Sequence, residues 1–190
     1  MHVIFRLALL GALLFLPAAC SSDSDLRKVA LVCPMVGVLS DAAMLREFGD
    51  GAARDQANTA YELEFMRAHL LECELKENRM TASLRFEARG KTGPAISSNN
   101  VEYPYFVAVL NPDGEVINKT IRKSTVDFKS GKTEAFFAQE YDDIDFTVPE
   151  GKDGLGYEIL IGFQLTREQI EFKRAQKTTP ASPPDLIMQE

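Results

Sequence analysis

The 190-residue chain has no tryptophan and only two histidines, His2 and His69. A Ser-His-Asp arrangement would have to use His69 as its base, and no G-x-S-x-G elbow is present to supply a nucleophile. Its three cysteines, Cys20, Cys33 and Cys73, form no C-x-x-C motif. Zinc sites ask for three or four His, Cys or carboxylate ligands, and that set is lacking once two cysteines pair. The glycines at 151, 154 and 156 do not spell G-x-G-x-x-G and no strand-helix unit follows them, so they read as a turn and not as a phosphate loop. The net charge is −7 with no concentrated basic patch, which argues against nucleic acid. Lys119, Arg122 and Lys123 read as a solvated edge. Asp142, Asp143 and Asp145 are the densest acidic group, but strand alternation sends Asp142 to the other face, so calcium would not find its oxygen ligands together. No catalytic residue, metal site or cofactor is expected.

What is present begins with an export signal. Met1 to Arg6 carries positive and no negative charge, Leu7 to Leu16 is uninterruptedly apolar, and Ala18 and Ala19 are small. That run is shorter than the about 20 residues needed to cross a bilayer, and no later stretch approaches the length. The ending Leu16-Pro17-Ala18-Ala19-Cys20 resembles the lipobox of bacterial lipoproteins, with Pro17 where the pattern prefers leucine. The resemblance implies cleavage of residues 1–19, acylation of Cys20, and a tether over residues 20–28. Two or more acyl chains anchor a protein stably where one does not. Ser21 after the cysteine points to the outer membrane in the best-known sorting pattern, with the domain facing the periplasm. Cys33 and Cys73 are then left as an even pair in an oxidising compartment, and a disulfide between them is expected. Closing a loop of about 40 residues stabilises by roughly 4 kcal/mol in the chain-entropy limit.

Downstream, the pattern is one of strands. Val29 to Leu39, broken by Cys33-Pro34, reads as an edge strand or two short pieces. Ser40 or Asp41 caps an expected short helix carrying Met44, Leu45 and Phe48 on one face. Tyr61, Leu63 and Phe65 alternate with Glu62 and Glu64, and Leu70 to Leu75 forms a separate strand. Met80, Ala82, Leu84, Phe86 and Ala88 face a core while Thr81, Ser83, Arg85 and Glu87 face water. Residues 90–100 form a loop long enough for a contact site. Tyr105 to Leu110 is apolar on both faces and reads as a central strand. The Asn111-Pro112-Asp113-Gly114 turn leads to its hairpin partner over Glu115 to Ile121. Further strands are expected at Thr125 to Phe128, Phe136 to Val148, and Tyr157 to Leu165. Tyr157 follows a glycine-rich turn and resembles the tyrosine corner of Greek-key sandwiches, in which the phenol bonds to upstream backbone. Thr166 and Gln169 have capping-box spacing, with Leu165 and Ile170 as a hydrophobic staple, so a helix should run from Arg167 to about Arg174. Residues 175–190, with three prolines, read as a disordered tail.

Cys33-Pro34, Tyr103-Pro104-Tyr105-Phe106-Val107-Ala108-Val109, the Asp113-Gly114 turn and the run from Tyr157 to Gln169 resemble a group of small alphaproteobacterial lipoproteins of unknown function. The resemblance spans most of residues 30–174. It implies an exported β-domain and carries over no catalytic residue. The expected fold is mainly β: an antiparallel sandwich over 29–174, of immunoglobulin or fibronectin type III kind, with a short C-terminal helix. A small barrel is the other fold the pattern allows. The expected function is that of a non-enzymatic, membrane-anchored binding or assembly module. It would contact another envelope protein through a strand edge, loop 90–100 or turn 151–156. Capture of a small molecule or glycan between the sheets is the second class, and a carboxylate-based enzyme ranks last.

Overall fold

The computed structural model describes residues 31–178, and the region from Leu31 onward forms a compact unit of its own. The expected export signal and tether, with Cys20, and the expected tail beyond residue 178 lie outside the described residues. The strands are β1 (Met35–Val38), β2 (Met44–Phe48), β3 (Thr59–Lys76), β4 (Arg79–Thr92), β5 (Asn100–Leu110), β6 (Val116–Asp127), β7 (Glu134–Thr147) and β8 (Glu158–Phe163), followed by a helix, α1 (Arg167–Thr178). They build two four-stranded sheets, ordered β1-β8-β5-β6 and β2-β3-β4-β7. All pairs are antiparallel except β1 with β8. Among the described residues no helix is long and apolar enough to cross a membrane.

The alternation legible in β4 explains why the sheets stack. Met80, Leu84 and Phe86 are fully buried on one side of that strand, and Tyr103, Tyr105, Val107 and Val109 of β5 face them from the other sheet. Phe65 of β3 stacks on Phe163 of β8 with ring centroids 4.2 Å apart, and Phe86 meets Tyr105 at 5.5 Å, so the aromatic contacts run across the sandwich. The Tyr103 hydroxyl is buried, and among the described residues it has no hydrogen-bond partner. Ser124 lies beside it but gives its own proton to Gln139 Oε1 at 2.8 Å. Burial, against the pull of Ser124, pushes the Tyr103 phenol up to about 12.

Several elements differ from expectation. Residues 40–48 are not a helix but a 3-10 turn (Ser40–Ala42) and then β2, which pairs with the first half of β3 through Leu45 and Leu63. Five residues fit either period, and the pairing with β3 decides. β3 is one strand of 18 residues, not two. Register shifts at Phe65/Arg67 and Leu70/Glu72 mark bulges that keep it paired with β4 along its length. β6 likewise joins two expected strands, and β8 stops at Phe163. Residues 175–178 form the last turn of α1, where a tail was expected.

The expected disulfide is present. Cys33, just ahead of β1, is bonded to Cys73 of β3, with Cα atoms 6.0 Å apart. It therefore ties an edge of one sheet to a strand of the other. Along the opposite seam polar side chains do this work: Asn118 donates to the Asp145 carbonyl at 2.9 Å, and Arg122 meets Asp143 at 2.8 Å.

Strand directions give the sandwich two poles. The Cys33 segment, the β3–β4 hairpin and turns 111–114 and 148–157 lie at one end. The 3-10 turn, loops 49–58, 93–99 and 128–133, and α1 lie at the other. The chain enters the domain at the pole remote from its helix.

Candidate functional site

The helix begins where its capping residues place it. The Thr166 N–H donates to Gln169 Oε1 at 2.8 Å, and the Gln169 N–H donates to Thr166 Oγ1 at 3.2 Å. Gln169 has a second task, because its Nε2 donates to Glu47 Oε1 on β2. Arg54 pairs with Glu168, Lys173 Nζ donates to the carbonyls of Ser40 and Asp41, and Phe172 packs edge-on against Phe48 at 5.3 Å. Polar clips thus hold most of α1 to the domain, with one ring contact among them. Apolar surface beneath it is left incompletely filled.

Two clefts result, one on each flank of α1. The first has a volume of about 270 Å³ and is lined by Met44, Phe48, Leu165 and Phe172, with Arg46 and Arg54 at its rim. The second has a volume of about 330 Å³ and runs under Ile170 across Leu39, Ala42, Phe106 and Phe163. Leu165 and Lys173 line both. Lys119 of β6 crosses the second cleft with its ammonium 4.4 Å from the centroid of the Phe106 ring.

Glu47 reports how dry this junction is. Burial raises its pKa above the usual carboxylate range, against the opposing effects of the Gln169 amide, Arg54 and the Phe48 N–H. A raised folded-state pKa means that the stabilising contribution is fully present below the ordinary carboxylate pKa and is lost as pH rises through the raised value. Glu47→Gln should therefore raise the melting temperature at pH 7 by roughly 1–2 °C, the small size following from partial exposure. The gain should vanish toward pH 4. Thermal melts across that range check it, and an equal loss at every pH would refute it.

The outer faces of the two sheets contrast in chemistry. The β2-β3-β4-β7 sheet is tiled with ion pairs: Arg46–Glu62, Arg89–Glu64, Arg67–Glu87, Arg85–Glu140, Lys91–Glu134 and Arg79–Asp145. Exposed pairs of this kind stabilise little, so their effect is to keep the face wet. Phe136, 70% exposed, interrupts them. The other sheet turns Phe106 and Ala108 outward as a small separate cluster with Ala42 and the half-buried Leu110. Around it stand half-buried Leu160 and the exposed Met35, Val116 and Ile121. Gly162 belongs to the same face, where an added Cβ would come 2.7 Å from that of Ala42.

The residues singled out from sequence are scattered over this frame. Cys33 and Cys73 form the disulfide, Thr166 and Gln169 form the cap, and Cys20 lies outside the described residues. Tyr157 makes no tyrosine corner. Its ring packs on Phe146 at 5.1 Å, its N–H donates to Gly154 O and its carbonyl accepts from Met35 N–H, while its hydroxyl has no hydrogen-bond partner among the described residues. The local turn and the parallel β1–β8 pair satisfy the backbone that a corner would otherwise serve. Loop 90–100 and turn 151–156 lie at opposite poles and make no joint surface. His69 is exposed on β3. β7 does bulge at Asp142 and Asp143, but Asp143 and Asp145 are held by Arg122 and Arg79. Among the described residues no group of three or more His, Cys, Asp or Glu is placed to hold a metal ion. Sequence reasoning missed Phe48, Arg54, Phe106 and Lys119 as cleft residues.

Neither a scan against protein-family models nor a search of curated proteins finds a match to this chain.

Proposed function

We propose that the chain is a lipoprotein of the bacterial cell envelope, anchored through acyl chains on Cys20 in the outer membrane and facing the periplasm. It acts there as a non-enzymatic binding or assembly module for another envelope protein. The observation that carries this reading is the apolar outer face of the β1-β8-β5-β6 sheet. On that face Met35, Val116 and Ile121 are exposed around the buried Phe106 and Ala108, and exposed apolar side chains grouped on one surface mark contact sites. The disulfide fits an oxidising compartment. The likeness to immunoglobulin and fibronectin domains is one of size and two-sheet packing. The run β2-β3-β4 sets three successive strands side by side, which the ABED and CFG order of immunoglobulin domains does not.

The test is photo-crosslinking in intact cells, with a benzophenone amino acid at Ile121 on the apolar face or at Arg85 on the ion-paired face. One dominant protein adduct from Ile121, absent from Arg85 and lost with Cys20→Ala, is the expected result. Equal adducts from both faces, or none, would overturn the reading.

Small-molecule capture is a second reading, favoured by the clefts beside α1. The space between the sheets is filled by the aromatic core, so capture belongs to these flanking clefts.

A further inference from the structure

We propose that the two clefts beside α1 form one site for an amphiphile that has a single acyl chain and an anionic head group. The proposal rests on the capture reading above and names its ligand class.

The floor supplies the apolar part. Phe163 and Leu165 are buried, at 1% and 9% exposure, so the clefts end on the core and not on flexible surface. Leu165 and Lys173 line both clefts, so the two adjoin across these side chains. Each lies at or below the small end of ligand pockets, which hold roughly 300–1,000 Å³. A slender chain laid along α1 suits such a shape, and a fused ring system does not.

The rim supplies the charge. The chain is acidic overall, at −7, yet the residues lining the clefts include Arg46, Arg54, Lys119, Lys173 and Arg174 against a single acid, Asp41. Arg46 and Arg54 are engaged with Glu62 and Glu168, Lys173 holds the carbonyls of Ser40 and Asp41, and Arg174 and Asp41 are engaged as well. Lys119 is different. It is exposed, its described contact is the Phe106 ring, and no carboxylate pairs with it among the described residues. An ammonium poised over an aromatic floor at a cleft mouth can take a carboxylate or phosphate while an acyl chain covers the ring.

The absence of tryptophan makes the test direct, since Ile170→Trp places the sole indole at the second cleft. The chain from Ser21 onward retains the whole compact unit and avoids detergent. Laurate, below its micelle concentration, should blue-shift this indole saturably and should raise the melting temperature of the unsubstituted domain. Glycerol monolaurate, with the same chain and no charge, should bind at least fivefold more weakly. Lys119→Glu should weaken laurate about tenfold and leave monolaurate unchanged, with melting temperature unaltered in the absence of ligand. Equal affinity for laurate and monolaurate would overturn the anionic head group while sparing capture. Saturation by neither ligand, in the indole signal and in the melts alike, would overturn the site together with the capture reading.

Discussion

The Cys33→Ala, Cys73→Ala double variant should melt roughly 6–12 °C below the parent, and reductant should lower the parent to the same point. The size follows from loop closure. Forty positions separate the two cysteines, and a cross-link over that span stabilises by up to about 4 kcal/mol, with about 3 kcal/mol a realistic value once native-state strain is allowed for. A protein of this length loses about 2–4 °C per kcal/mol. The location adds a local effect. β1 is a four-residue edge strand held to β8 by four register pairs, Met35–Glu158 to Val38–Ile161. Without the covalent tie its amides should exchange with deuterium before those of β5, because short edge elements open at low free energy. Reductant that left both the melt and the β1 exchange unchanged would remove the disulfide from any part in stability.

Gly93→Ala should cost about 3 kcal/mol or more, although it adds one methyl group outside the core. A Cβ built at Gly93 would lie 2.1 Å from the Thr59 carbonyl oxygen and 2.7 Å from its carbon, which are backbone atoms and cannot swing aside. The approach is close because the loop after β4 is sewn onto the start of β3. Gly93 N–H donates to Ala60 O at 2.7 Å and Ala95 N–H donates to Thr59 O at 3.0 Å. Making room for the methyl group breaks those bonds and shifts the loop. Gly51→Ala is the control, since Gly51 has φ of +66° and nothing within 4 Å of its Cβ position. It should cost only about 1 kcal/mol, the conformational penalty alone. Denaturant titration of both variants measures the difference, and equal losses would mean that the Gly93 contact is not what holds the loop.

Much of the sandwich was legible because half-buried strands carry a period of two. Met80 to Ala88 showed which side of β4 faces the core, and Asn111-Pro112-Asp113-Gly114 announced its turn, in which Gly114 takes φ of +80° and its N–H reaches Asn111 O at 2.9 Å. The misreadings have physical causes. Residues 44–48 were too few to separate a helix from a strand, and the bulges in β3 and β7 depend on a partner strand that no local pattern reveals. Tyr105 to Leu110, apolar on both faces, did signal a central strand. What covers its outward-facing Phe106 and Ala108, a small buried cluster with Ala42, was not legible there. The clefts were illegible, because they combine Phe48, Phe106, Lys119 and Ile170 from elements far apart in the chain.

The position of the disulfide also sets how the domain answers a pull. Tension transmitted from the N-terminal side reaches Cys33 before it reaches β1, and the bond passes it sideways to Cys73 near the C-terminal end of β3 in the other sheet. The load then falls on β3, the 18-residue strand laddered to β4 almost from end to end, in place of the four-residue β1. Oxidised, the domain is hauled by its longest strand. Reduced, it would unzip from its shortest.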